Sequence, residues 1–272
     1  MMTQPEVHNS FVTPEDISGS KISYGECLFF GCDHSSNYKQ GELILDLLDE
    51  KSPKIIVLEG MVFWNKADTS KKIAFLSELV DLSLQDLLAK FREKGAVYYY
   101  LCQHLEQISN GEINIISGEG TFEDEVESLV SSNYEIAQIH ELYSLREIES
   151  YYRNLAGKFD NFNYNDLVRH VQNFWSNNNL QFSEEQISLL MDKIAQKYNL
   201  NLQEYEQKTH RLIKFYMIPK AKSQFACKQV KHGLSNIRDG FLLQKIDPKI
   251  NTFIMYGEGH IRKISRILEK TP

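Results

Sequence analysis

The feature that most constrains this chain is a repeated local pattern. Four short apolar runs each stop at a glycine beside an ionisable residue. Glu26-Cys-Leu-Phe-Phe-Gly31 leads into Cys32-Asp33-His34, and Lys54-Ile-Ile-Val-Leu58 leads into Glu59-Gly60. Ile113-Asn-Ile-Ile116 leads into Ser117-Gly-Glu119-Gly120, and Thr252-Phe-Ile-Met-Tyr256 leads into Gly257-Glu-Gly-His260. Runs this short, rich in β-branched or aromatic residues and bounded by turn residues, read as strands. Stretches with helical spacing fill the intervals, as in Glu42 to Glu50, Lys71 to Glu93, Ala96 to Ile108 and Ala221 to Lys245. Alternation of this kind predicts an α/β protein with a small, mostly parallel central sheet flanked by helices.

The pattern changes in the middle of the chain. From Phe122 to Tyr216 no strand is evident. Charged, aromatic-rich segments at helical spacing take over: Tyr134–Leu155, Tyr164–Trp175, Glu184–Tyr198 and Leu202–Tyr216. Ser176-Asn-Asn-Asn179 marks a turn between two of them. Residues 1–22 read as a loose leader. The expected organisation is therefore a single α/β domain over 23–272, carrying a large all-helical insertion at about 121–220.

Composition narrows the function classes. The formal charge is −7, so there is no basic excess of the kind that nucleic-acid binding requires. No apolar run is long enough to span a bilayer, and none forms a polybasic membrane patch. The opening residues lack the basic start and apolar stretch of a signal peptide. The four cysteines, Cys27, Cys32, Cys102 and Cys227, form no Cys-x-x-Cys pair, and reduced thiols in a cytoplasmic protein are expected. Neither a Gly-x-Ser-x-Gly elbow nor a P-loop nor a dinucleotide fingerprint is present, which argues against serine-hydrolase and nucleotide chemistry.

In open α/β sheets, ligands bind at the carboxyl ends of the strands. That edge is where the ionisable residues fall. His34, Glu59 and His260 are the leading candidates, with Asp33, Glu119 and Glu258 weaker. Two imidazoles and a carboxylate suit a divalent ion such as Mn²⁺, Co²⁺ or Zn²⁺. They also suit general acid–base work on a water. Structural alternatives stand beside these roles. Asp33 or His34 could cap the following helix, and Glu119 could serve a turn. The glycines could serve tight turns only, and Trp64 could line a pocket.

The paired Gly-x-x-His motifs (Gly31 to His34, Gly257 to His260), Glu59 after the second strand, and Arg238-Asp239 in the helix before the last strand together resemble the Tiki/TraB superfamily. That superfamily includes erythromycin-esterase-like and ChaN-like proteins. The resemblance covers residues 24–64 and 230–270. It implies a metal-dependent hydrolase of peptide or ester bonds, with His34, Glu59, Arg238 and His260 catalytic and His34, Glu59 and His260 holding the metal. Arg238 would clamp a substrate carboxylate or an oxyanion; its structural alternative is a salt bridge to Asp239, Glu59 or Glu258. The expected partner is a small-molecule or peptide substrate. Two other functions remain open: a non-catalytic protein binding a small or haem-like ligand on the same fold, and an interaction protein with a relic site.

Overall fold

The computed structural model describes residues 7–11, 20–34, 37–60, 63–155 and 161–269. The chain forms two compact units. One comprises Met1–Gly120 with Asp239–Pro272, and the other Thr121–Arg238. The first is built on a six-stranded mixed sheet: β1 (Val7–Phe11), β2 (Ser20–Tyr24), β3 (Cys27–Cys32), β4 (Ile55–Leu58), β5 (Asn114–Ser117) and β6 (Thr252–Gly257). Spatial order is β1-β2-β3-β6-β4-β5. The β3–β6, β6–β4 and β4–β5 pairs are parallel, whereas β1–β2 and β2–β3 are antiparallel.

The four strands expected from their apolar runs form this parallel block. The antiparallel pair was not expected. Val7–Phe11 lies within the segment read as a loose leader, and Ser20–Tyr24 spans its end. Their alternating polar residues gave no continuous apolar run to notice, because an antiparallel edge needs apolar side chains on one face only.

β3 and β6 are buried along their whole length, as central strands covered on both faces require. Their side chains alternate between two cores. Leu28, Phe30, Ile56, Leu58, Phe253 and Met255 pack with Ile44, Leu47 and Leu48 of α1 (Tyr38–Lys51). Phe29, Val57, Ile254 and Tyr256 pack on the other face with Leu242, Ile261 and Ile264. Leu48 is fully buried, so Leu48→Ala should cost about 2–5 kcal/mol. Helix α1 is capped by Asn37, whose side chain accepts from the Lys39 amide. Neither Asp33 nor His34 is therefore occupied as its cap.

Four further helices of this unit run between β4 and β5: α2 (Phe63–Lys66), α3 (Thr69–Ser77), α4 (Leu84–Phe91) and α5 (Lys94–Gln103). A short α6 (Leu105–Ser109) follows. Trp64 is fully buried, with Phe75 and Tyr98 against its ring, so it is a core residue and not a pocket wall.

In the second unit the described residues form helices and no strands. These are α7 (Phe122–Ser131), α8 (Ile136–Asn154), α9 (Tyr164–Asn177), α10 (Glu184–Tyr198), α11 (Gln207–Tyr216) and most of α12 (Ala226–Gln244). Its own core includes Tyr143, Tyr152, Trp175, Met191 and Tyr198. The unit runs from Thr121 to Arg238, and α12 extends past that boundary to Gln244. The chain closes with α13 (Glu258–Leu268). No helix among the described residues is long and apolar enough to cross a membrane.

Candidate functional site

Strand adjacency assembles the site. Cys32 pairs with Gly257 in the β3–β6 register, and the Glu59 amide donates to Met255 O at 3.1 Å just past the end of β4. The residues that follow these three neighbouring strands must therefore share one rim. His34 takes a left-handed backbone (φ 56°), unusual for a residue with a side chain. Gly257 is the first close approach. A β-carbon there would lie 2.6 Å from His34 Nε2 and 3.2 Å from a Glu59 oxygen, so only glycine leaves room for the ring. The Gly257 amide donates to Glu59 Oε2 at 2.5 Å and fixes that carboxylate.

Glu59 lies between the two imidazoles. His34 Nε2 stands 3.4 Å from Glu59 Oε2, and His260 Nε2 stands 4.0 Å from Glu59 Oε1. On the far side of each ring, Nδ1 meets a buried carboxylate. His34 Nδ1 is 2.7 Å from Glu93 Oε1, and His260 Nδ1 is 2.5 Å from Asp239 Oδ1. Lys263 also pairs with Asp239. The result is a chain of alternating acid and base: Glu93, His34, Glu59, His260, Asp239. His34 keeps 41% of its side chain exposed, so the rim is open to solvent.

These contacts set the protonation. The Cys32 sulfur beside Nδ1, then the carboxylates of Glu59 and Glu93, push His34 up to about 12 against the pull of burial. Burial raises the Cys32 thiol, so near neutral pH it is the two carboxylates that favour the protonated ring, and an ion at Nε2 would have to displace that proton. Burial alone would raise Glu59. The hydrogen bonds from His34 and the Gly257 amide outweigh it and bring that carboxyl down to about 2. His260 is raised chiefly by its bond to Asp239.

Among the described residues one donor set is compact enough to hold a metal, and a second, wider one lies beside it. Cys32, His34 and Glu93 offer three atoms within 4.8 Å of one another. That set uses Nδ1, which already lies in the 2.7 Å contact with Glu93, and a thiol that donates to Tyr256 O at 3.3 Å. The second set is Nε2 of His34, Nε2 of His260 and Glu59. Its three donor atoms do not all lie within 4.8 Å of one another, and the nitrogens approach different oxygens of Glu59. It leaves both Nδ1 contacts intact, however, and metal-binding imidazoles are usually held in that way by a carboxylate on the other nitrogen. The donor chemistry of this second set therefore suits a divalent ion of the zinc or manganese kind.

The remaining expected residues fall elsewhere. Arg238 belongs to the second unit. Its guanidinium lies 2.6 Å (Nε) and 3.1 Å (Nη2) from the carboxylate of Glu125, which also accepts from Tyr143 at 2.5 Å. The guanidinium is thus held in an ion pair, the structural alternative of the sequence reading, with a partner not among those expected. Glu258 reaches back along α13 to Arg262. Glu119 is buried, and its carbonyl accepts from Asn65 at 3.1 Å and Lys245 at 2.8 Å, holding the turn after β5. Asp33 is exposed. Glu93 was missed. It is 59 positions from His34 and closes a stretch read only as helical. Asp239 was noticed only as the neighbour of Arg238. No family model, curated protein or solved structure matches the chain.

Proposed function

We infer that this protein is a metal-dependent hydrolase of peptide or ester bonds, working at the carboxyl ends of β3, β4 and β6. One observation carries the reading: two imidazoles present Nε2 to a single carboxylate while buried acids hold both Nδ1 atoms. His34, His260 and Glu59 would be the donors for Mn²⁺, Co²⁺ or Zn²⁺. Such an ion, when bound, supplies Lewis acidity toward water and a scissile carbonyl. Glu93 and Asp239 fix the tautomer and direction of each ring. Lys263 pairs with the other oxygen of Asp239. Gly257 holds Glu59 through its amide and clears the space for His34. The order of the two Gly-x-x-His motifs and Glu59 also supports kinship with the Tiki/TraB superfamily.

The test is the metal content of purified protein by elemental mass spectrometry, before and after loading with Mn²⁺, Co²⁺ or Zn²⁺. The expected result is near-stoichiometric metal in the wild type that is lost in both His34→Ala and His260→Ala, followed by turnover of peptide or ester probes. A wild type that takes up none of the three ions overturns the reading. Metal retained in His260→Ala but lost in Cys32→Ser would move the site to the Cys32 set.

A further inference from the structure

The charged side chains around the rim are paired, with one informative exception. His34 and His260 face carboxylates, Lys263 faces Asp239, and Glu258 faces Arg262. Lys94 is different. It is the first residue of α5, directly after Glu93, and it makes no ion pair or hydrogen bond with any described residue. Its ammonium nevertheless does not stand away in solvent. The side chain is half-buried, and Nζ lies 3.4 Å from the point where a β-carbon on Gly60 would stand. Gly60 follows Glu59, and consecutive Cα atoms are only about 3.8 Å apart. The ammonium therefore sits beside the loop that carries the central carboxylate of the site.

Stability does not account for this placement. A cation in the first turn of a helix opposes the helix dipole, and the N-cap acid of α5, Glu93, makes no cap hydrogen bond and is engaged by His34. Partial burial of an ammonium with no partner among the described residues costs free energy as well. Gly60 adds to the case, because its φ of +67° at this turn favours a residue without a side chain and keeps the approach to Nζ clear.

We propose that Lys94 is a specificity-determining residue: it anchors a carboxylate on the substrate, so that the preferred substrates are esters or peptides carrying a free carboxylate near the bond that is cut. This rests on the hydrolase reading for the identity of the reaction, though not for the anion contact itself.

Two probes separate the possibilities, with the protein loaded with Mn²⁺ or Co²⁺. One is 4-nitrophenyl acetate, which is neutral. The other is mono-4-nitrophenyl succinate, which carries a carboxylate. The readout is the ratio of kcat/KM for succinate over acetate. The wild type should favour the succinate ester. Lys94→Gln should lower the ratio on the order of tenfold, the worth of one charge-assisted hydrogen bond, mainly through KM. Lys94→Glu should invert the preference, and Lys94→Arg should restore most of it. A ratio that does not move in Lys94→Gln and Lys94→Glu overturns the proposal. If the wild type cleaves neither ester, the hydrolase reading fails and the anion contact is read by itself. Glutarate titrated against ¹⁵N-labelled protein should shift the Gly60 and Lys94 amides in the wild type but not in Lys94→Gln. No shift in the wild type overturns the proposal on that arm.

Discussion

His34 Nε2 lies 2.6 Å from the point where a β-carbon on Gly257 would stand. A side chain at 257 therefore requires the ring to move from this position. Gly257→Ala should displace His34 and abolish metal uptake while leaving the sheet formed, since the rest of β6 is untouched. Gly259 gives the contrast, because a β-carbon there meets nothing within 4 Å. Gly259→Ala lies in helix α13 and should stabilise by about 0.5–1 kcal/mol. Elemental analysis beside thermal denaturation checks both. Equal loss of metal in the two variants would show that the crowding at Gly257 is irrelevant.

The two Nδ1 contacts predict a second pair of effects. Glu93→Gln and Asp239→Asn preserve volume but remove the charge that orients each ring. Each should weaken metal affinity about 10–100-fold with the fold retained. Competition with a chromogenic chelator measures this. The ¹⁵N signals of the His34 and His260 rings should shift selectively, each in its own variant. Unchanged affinity in both would mean that these acids serve packing alone.

Arg238 makes a prediction about stability rather than chemistry. Its partner Glu125 is 5% exposed, and the pair is supported by Tyr143. Arg238→Ala leaves that carboxylate buried without its cation, which should cost roughly 3–5 kcal/mol. Arg238→Met combined with Glu125→Leu should cost much less, because no charge is then stranded. Chemical denaturation of the three proteins decides it. A fully stable Arg238→Ala would return Arg238 to the candidates for substrate binding.

How much of this was legible in the sequence follows from the range of each interaction. His34, Glu59 and His260 could be placed because each lies within three residues of a strand end, and parallel strands carry such ends to one edge. Glu93 could not. Nothing local distinguishes an acid that packs under an imidazole from one that faces water, and the helical spacing around it is compatible with either. Asp239 was visible only as a polar neighbour, since its contact with His260 depends on how α12 meets α13. The β1–β2 hairpin was hidden for a related reason: its strands carry few apolar residues and rely on β3 for their register. Arg238 shows the opposite case. A motif position suggested a role, and a buried acid more than a hundred positions away took the side chain instead.

The last prediction concerns pH and the second unit. His140 packs against the rings of Trp175 and Phe182, with centroids at 4.9 and 5.6 Å. Burial there disfavours the imidazolium and lowers its pKa from the usual 6.5. The unfolded chain then binds a proton below about pH 6.5 that the folded one resists. Its contribution to stability is thus fully present above that value and is lost as the pH falls toward the lowered folded value. Replacement by a neutral ring removes this term. Lowering the pH from about 7.5 to about 5.5 should change the denaturant midpoint less favourably in the wild type than in His140→Phe. Parallel curves for the two proteins would show that His140 accommodates its proton in the folded state, and that the aromatic packing around it imposes no charge penalty.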